Sequence, residues 1–170
     1  MYYLRLGVQN SGRQKAELVE VYAAGLEERQ ADGTFRSVDS FLPMNLLWSN
    51  YRQEYLPTLS PEMRKHCDLA HIIHPQERKN FPGEDKTWPN VPQEKTVLSF
   101  DTVVKPDTQS YLVPMGTYRL SIIITAANAK PIRKCLEVTL PGDWYDDEQV
   151  MLGKGIGIRL LRHWPRQQEH

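Results

Sequence analysis

The sequence predicts an all-β sandwich of about seven to nine antiparallel strands with one long polar loop. Apolar and polar residues alternate with a period of two along most of the chain, which is typical of strands that bury one face. Turn-forming residues separate most of these segments. A single segment, starting at Ser60, carries the residues that usually begin a helix, so a helical fold is disfavoured.

Length and charge limit the classes of protein that fit. The chain has 170 residues, of which 40% are hydrophobic, so we expect one domain, residues 1–162, and a tail, residues 163–170. Basic and acidic residues both number 21, and a chain without net charge is a poor candidate for binding nucleic acid. No apolar run reaches the roughly 20 residues of a membrane helix, so membrane contact would need a neighbouring segment.

The first half of the chain predicts two long strands, a hairpin and a further strand. "YLRLGV" and "ELVEVYAA" alternate apolar and polar residues, and Asp32-Gly33 is a dipeptide that favours a tight hairpin turn. "LPMNLLWS" follows with Leu46 and Trp48 on one face. The other residues predicted to face the core here are Leu4, Leu6, Val8, Val19, Val21 and Ala23.

The second half predicts four more strands with clearer alternation. They are "KTVLSF", "GTYRLSIIITAANA", "CLEVTL" and "GIGIRLL". Their predicted core residues are Leu98, Phe100, Tyr118, Leu120, Ile122, Ile124, Leu136, Val138, Leu140, Ile156, Ile158 and Leu160. Cys67 and Cys135 are too few for a disulfide framework, and whether they pair is left open.

The stretch "VQNSGRQKAELVEVY" resembles the opening of bacterial immunoglobulin-like modules of the adhesion-related CARDB kind. Asn10 and Gly12 occupy the Asn-x-Gly turn of that pattern, Ala16 follows the turn, and a valine-rich strand returns. Asn10 can bond its own backbone through such a turn, and glycine tolerates the positive φ that we expect at Gly12. Ala16 would fit where the strands pack closely.

The stretch "PMGTYRL" resembles the tyrosine corner of immunoglobulin-like folds. Gly116 lies two residues before Tyr118, whose hydroxyl in such corners bonds a nearby backbone group. Leu120 stands where antibody domains carry a cysteine, so the inter-sheet disulfide is absent. The resemblance implies an immunoglobulin-like β-sandwich that serves adhesion, spacing or protein contact, often within a membrane-anchored bacterial protein.

The segment "HCDLAHIIH", residues 66–74, is the densest group of metal-ligating residues in the chain. On a helix Cys67, His71 and His74 would share one face, at a spacing of roughly 5 to 6 Å that suits zinc. On a strand the same residues spread over two faces and along the segment. The pattern therefore indicates a metal site if the segment is helical.

The surrounding sandwich favours the strand, because the turn residues before this segment lead into a strand that returns after Trp48. Solvated histidines on a sheet face are then expected. His66 and Asp68 would remain a weak candidate pair for a metal, with no third ligand visible. We therefore expect no metal and no other cofactor.

The proline-rich and charged segment 75–95 is too long for an ordinary turn in a compact domain. It contains Phe81 and Trp88, and Trp88 stands among charged and proline residues where no strand pattern would bury it. Exposed aromatic and arginine side chains are preferred anchors in interfaces. We therefore take Trp88, Phe81 and Arg78, together with Tyr145, as candidate binding residues.

No nucleophile motif stands out, which favours a non-catalytic interaction or spacer module with a protein partner. A carbohydrate-binding sandwich that uses the same aromatics is the first alternative, and a metal-binding protein or enzyme built on residues 66–74 is the second. The chain enters a strand pattern at once without a signal-peptide pattern. An excised domain of a larger protein is expected, with a short complete protein as the alternative, and the compartment stays open.

Overall fold

The computed structural model describes residues 1–162 of the chain. Their strands form two antiparallel sheets. The predicted tail, residues 163–170, lies outside the described residues. The strands are β1 Tyr2–Gln9, β2 Ala16–Arg29, β3 Phe35–Ser37, β4 Met44–Asn45, β5 Leu47–Trp48, β6 Tyr55–Leu59, β7 Arg64–Ile72, β8 Leu98–Phe100, β9 Leu112–Val113, β10 Gly116–Ala126, β11 Ala129–Leu140 and β12 Gly157–Leu161. The all-β sandwich prediction is confirmed.

The five-stranded sheet has the order β1-β7-β8-β9, with β5 paired to β7. The seven-stranded sheet has the order β12-β11-β10-β2-β3, and β4 and β6 also pair with β2. The long strand β2 can hold three short partners because it runs for 14 residues. Helical segments are short: a 3₁₀ helix Pro75–Asn80, an α-helical turn Glu148–Val150 and a π-helical turn Met151–Gly155. In the described part of the chain no helix has the length and apolar character needed to cross a membrane.

One hydrophobic core joins the two sheets, and most of the residues predicted to face inward belong to it. Trp48, Phe100 and Leu120 are almost completely buried, and the indole of Trp48 donates a hydrogen bond to the carbonyl of Val19 at 3.0 Å. That bond satisfies the polar group of a buried tryptophan. Cys67 and Cys135 are both buried and both free, so they do not pair.

The predicted inward orientation of the last strand is only partly right. Ile158 and Leu160 lie opposite Val138 and Leu136 and so point to the same face as these core residues. However, both side chains remain exposed, at 38% and 56%. β12 is the edge strand of its sheet, which is wider than the five-stranded sheet, and its inward side chains therefore extend beyond the core.

The two turns that carry the resemblance are both present, with one difference at Gly12. The Asn10 side chain accepts a hydrogen bond from the backbone N–H of Gly12 at 2.9 Å and donates to the carbonyls of Gln14 and Leu59. Gly12, however, is not among the residues with positive φ. A Cβ atom there would lie 3.1 Å from the Asn10 Oδ1 atom, so a larger residue would require a small shift of this side chain.

The tyrosine corner is present in its predicted form. The Tyr118 hydroxyl donates to the carbonyl of Pro114 at 3.0 Å and lies 3.4 Å from that of Met115. Burial is the main reason that the pKa of Tyr118 is raised. A Cβ atom at Gly116 would approach the Tyr118 ring to 2.7 to 2.9 Å, so the corner leaves room for glycine alone. This corner holds the start of β10 beside the segment 75–95.

Candidate functional site

Residues 75–95, which we call the strap, pack over polar residues of the five-stranded sheet. The strap begins with the 3₁₀ helix Pro75–Asn80, which the His74 side chain caps by accepting from the backbone N–H of Gln76 at 3.2 Å. Farther along, Gly83 has a φ of +80° and its carbonyl accepts the Tyr111 hydroxyl at 2.7 Å. These contacts give the predicted polar loop a defined path.

The segment "HCDLAHIIH" lies on β7 and continues to His74, so the strand prediction is confirmed. The register on β1 shifts between Leu4, opposite Ala70, and Arg5, opposite Asp68, which leaves Leu69 without a partner. Such a bulge reverses the alternation of faces. It therefore brings Ala70 into the core after Leu69 and turns His71 to the outer face.

His71 is the centre of a buried group of charged residues, which we call the His71 cluster. Its Nδ1 atom lies 2.8 Å from an Asp101 carboxylate oxygen, and its Nε2 atom lies 3.5 Å from Oε1 of Glu84. The same Glu84 oxygen accepts from Nζ of Lys105 and from the hydroxyl of Ser99, both at 2.8 Å. The prediction of solvated histidines is therefore wrong for His71, because the strap places Glu84 over it.

The electrostatics of the His71 cluster favour a fully charged state. Burial alone would lower the pKa of His71, but the interactions with Asp101 and Glu84 outweigh it and raise this pKa to about 9. Burial alone would raise the pKa of Glu84, yet its contacts with His71, Lys105 and Ser99 lower it to about 2. At neutral pH two cations and two anions therefore balance within the cluster.

This arrangement does not form a nucleophile with its base. A serine nucleophile needs a neutral histidine that accepts its proton. Ser99 is almost fully buried and donates to Glu84, while both ring nitrogens of His71 face carboxylates and its raised pKa favours the protonated form. The chemistry that remains is electrostatic: the cluster fastens the strap to β7 and β8.

His66 and Asp68 do not converge on one point. His66 is exposed, whereas Asp68 accepts from Nε of Arg5 at 2.9 Å and from the hydroxyl of Ser49 at 2.6 Å. Within residues 1–162, no group of three or more potential ligands is arranged to hold a metal ion. Asp68 therefore has structural partners of its own.

A cleft of about 310 Å³ opens between the strap and the tyrosine corner; we call it the Trp88 cleft. Trp88 and Met115 stand on its two sides, and Lys86 lies over the Trp88 ring at 5.2 Å from the ring centre. Ser110, which is buried and whose hydroxyl has no hydrogen-bond partner, also lines it. Other lining residues are Leu26, Glu28, Val38, Ser40, Phe41, Pro89, Asn90, Val91, Leu112, Val113, Pro114 and Tyr118.

The four predicted binding residues do not form one surface. Trp88 is half-buried and packs against the core, which corrects the expectation of a freely exposed ring; a bridge between Trp88 and Val91 folds the strap back there. Arg78 is buried and donates from Nη2 to the carbonyl of Lys86 at 2.7 Å. Phe81 is half-buried, and Tyr145 packs against the core; neither lines the Trp88 cleft.

Comparison with known proteins gives no relatives: no family model, no curated protein and no solved structure matches this chain.

The His71 cluster was not predicted from the sequence, although the sequence contains one signal. Ser99 and Asp101 alternate with Leu98 and Phe100, so polar side chains line the second face of a strand whose first face is apolar. That pattern predicts a strand face that points away from the core, but it does not show whether water or another segment of the chain covers that face. Glu84 comes from the strap and Lys105 from the loop after Asp101, and no local pattern marks either of them.

Proposed function

We propose that this chain is a non-catalytic interaction module that binds a protein partner through the Trp88 cleft. The observation that carries the proposal is the cleft itself, which combines aromatic and aliphatic side chains with polar groups in similar share of its surface. This mixture is usual for binding sites, and tryptophan is a frequent anchor in interfaces. A volume of about 310 Å³ suits one or two apolar side chains of an extended partner segment.

The position of β9 supports an extended segment as the ligand. β9 is an edge strand of the five-stranded sheet, and its residues Leu112 and Val113 line the cleft. Extended peptides commonly dock beside edge strands, while neighbouring pockets take alternate side chains. The partner segment would run along β9 and place an apolar side chain against Trp88.

The turn at Asn10 and the corner at Tyr118 support a narrower proposal about the class of module. In this proposal the sandwich is immunoglobulin-like, of the adhesion-related CARDB kind, and belongs to a larger, membrane-anchored bacterial protein. The charged state of the His71 cluster favours a non-catalytic role, because its histidine has no free nitrogen to take up a proton.

Selection of peptides from a displayed random library against the immobilised chain tests the protein-binding function. Peptides selected on the wild type should bind Met115→Glu at least about tenfold more weakly, because binding would bury the new carboxylate beneath an apolar side chain of the peptide. Met115 is 37% exposed, so this change should leave the fold intact. Trp88→Ala should weaken binding further, and thermal unfolding would check that this variant is folded.

Tyr55→Ala is the matched control, since Tyr55 is an exposed aromatic on β6 and does not line the cleft. It should bind the selected peptides as the wild type does. A library that yields no binder, or binders that are indifferent to Met115→Glu, would remove the Trp88 cleft as a protein site.

A carbohydrate ligand is the second candidate, and the free hydroxyl of Ser110 is the observation that favours it. Sugar rings stack on aromatic side chains and offer many hydroxyls, which Ser110, Asn90 and Ser40 could bond around Trp88. A glycan array distinguishes the two ligands. If the library yields no peptide binder but the chain binds a glycan, and Trp88→Ala loses that binding, the ligand of the Trp88 cleft is a carbohydrate rather than a protein.

A further inference from the structure

A second cavity, of about 660 Å³, lies along the strap and has a different character. Strap residues alternate between the two spaces: Lys86 and Trp88 line the Trp88 cleft, whereas Asp85 and Thr87 line this second cavity. Its remaining lining residues are Pro75, Gln76, Arg78, Lys79, Gln93 and Glu94. Its lining residues are mostly charged, amide or hydroxyl-bearing, whereas aromatic and aliphatic residues dominate the list for the Trp88 cleft.

Arg78 is the unusual member of this lining. It is 8% exposed, yet no carboxylate within residues 1–162 lies within 4.0 Å of its guanidinium group. The contact with the carbonyl of Lys86 uses Nη2, and Nε is buried without a hydrogen-bond partner. Burial lowers the pKa of Arg78, against the attraction of Glu84 and Asp85.

A buried guanidinium with so few partners is costly. The group carries five N–H donors, and burying a charge without a counter-ion is strongly unfavourable. Glu84, one of the two acids whose charge acts on Arg78, is already engaged by His71, Lys105 and Ser99. The arginine therefore keeps binding capacity that the described residues leave unused.

We propose that Arg78 binds a carboxylate group in this second cavity, a site separate from the Trp88 cleft. A planar guanidinium matches a carboxylate in shape and charge. The amides of Gln76 and Gln93 and the hydroxyl of Thr87 line the same cavity and can donate to such an anion. Asp85 and Glu94 also line it, and their negative charge repels any anion, a doubly charged phosphate more strongly than a singly charged carboxylate.

A carboxylate ligand has two sources, a free small molecule or an acidic side chain of a protein. An NMR titration distinguishes them, with backbone amides and the Arg78 Nε–H as reporters. The probes are sodium acetate, the blocked peptide acetyl-Ala-Glu-Ala-amide, its Gln-containing analogue and sodium phosphate, all at constant ionic strength. We expect saturable shifts around Arg78 with acetate, the Glu peptide or both, and none with the Gln peptide.

Three variants assign the binding to Arg78. Arg78→Gln should abolish the saturable shifts, and Arg78→Lys should weaken the affinity about tenfold, since lysine keeps the charge but loses the planar fork. Arg133→Gln is the matched control, because it removes an exposed arginine of β11, and its affinity should equal that of the wild type.

Binding of the Glu peptide without acetate would assign the site to a protein partner, and binding of both would extend it to small carboxylates. The absence of saturable shifts with both carboxylates would overturn the proposal, as would tighter binding of phosphate. Equal affinity in Arg78→Lys and the wild type would also overturn it, and this outcome decides the question if Arg78→Gln does not fold.

Discussion

The outer faces of the two sheets use charged residues in opposite ways. On the seven-stranded sheet Glu27, Arg119, Glu137 and Arg159 lie side by side across four strands, partly exposed to water. On the five-stranded sheet the charges of the His71 cluster lie beneath the strap. An exposed ladder of alternating charges is weakly stabilising, whereas the loss of one member from a buried cluster strongly destabilises the fold.

The difference has a structural consequence for binding. The ladder crosses strands that backbone hydrogen bonds already hold together, so its ion pairs add little order. The His71 cluster instead joins the sheet to a long segment with few backbone pairings of its own, and that segment carries Trp88 and Arg78. Both proposed sites therefore depend on buried charges that touch neither ligand.

The largest effect is expected for Glu84→Ala. This change removes the shared partner of His71, Lys105 and Ser99, and it leaves Asp101 as the one carboxylate beside the buried His71 cation in the cluster. The free energy of unfolding should fall by about 3 kcal/mol or more, measured by urea denaturation. Glu137→Ala in the ladder is the control, and an equal loss in both variants would contradict the contrast between the faces.

A smaller effect is expected from pH. The pKa of His71 is raised from the ordinary histidine value of 6.5 to about 9 in the folded chain. The stabilisation that its bound proton provides is therefore fully present below pH 6.5. Its contribution is lost as the pH rises from 6.5 through about 9, and the free energy of unfolding should fall by roughly 2 to 3 kcal/mol. Urea denaturation at several pH values in this range measures the slope.

His71→Gln should remove most of that slope, while His66→Gln, which changes an exposed histidine of the same strand, should retain it. A slope that persists in His71→Gln would show that another group is responsible.

The smallest effect is expected for Arg159→Ala. Its guanidinium lies 2.8 Å from a Glu137 carboxylate oxygen, but the Arg159 side chain is 70% exposed and screened by water. The free energy of unfolding should change by less than about 0.5 kcal/mol at low salt and by even less at high salt. A loss above about 1 kcal/mol would show that the ladder is a cooperative network rather than a set of independent surface pairs.

Local patterns were sufficient for most of the fold. Alternation located β1, β2, β10 and β11, and turn residues located the hairpin at Gly33, whose φ is +84°. The Asn10 turn and the Tyr118 corner were also predictable, because their hydrogen bonds join residues close in sequence. The exposure of Ile158 and Leu160 was not, since it depends on the width of the opposite sheet.

The candidate site shows the same division between features that local sequence predicts and features that long-range packing decides. Trp88 and Arg78 were predicted as binding residues from their residue types and from the composition of the strap, but their burial was not predicted. Strict alternation would place His71 on the same face as Leu69, but a bulge at Leu69 turns it to the opposite face. A shift of one residue in register reverses every later side chain of a strand, and sequence patterns do not mark it reliably.

The sequence by itself determined that the chain forms a β-sandwich and identified many of the residues in its core, because strand alternation and turn chemistry are local. Only the tertiary structure decided what "HCDLAHIIH" does. Its residues do not converge on one point. Instead, His71 contacts Glu84 of the strap and Asp101, which follows β8. Long-range packing brings these charges together, and their burial, which no local pattern encodes, gives them their strength.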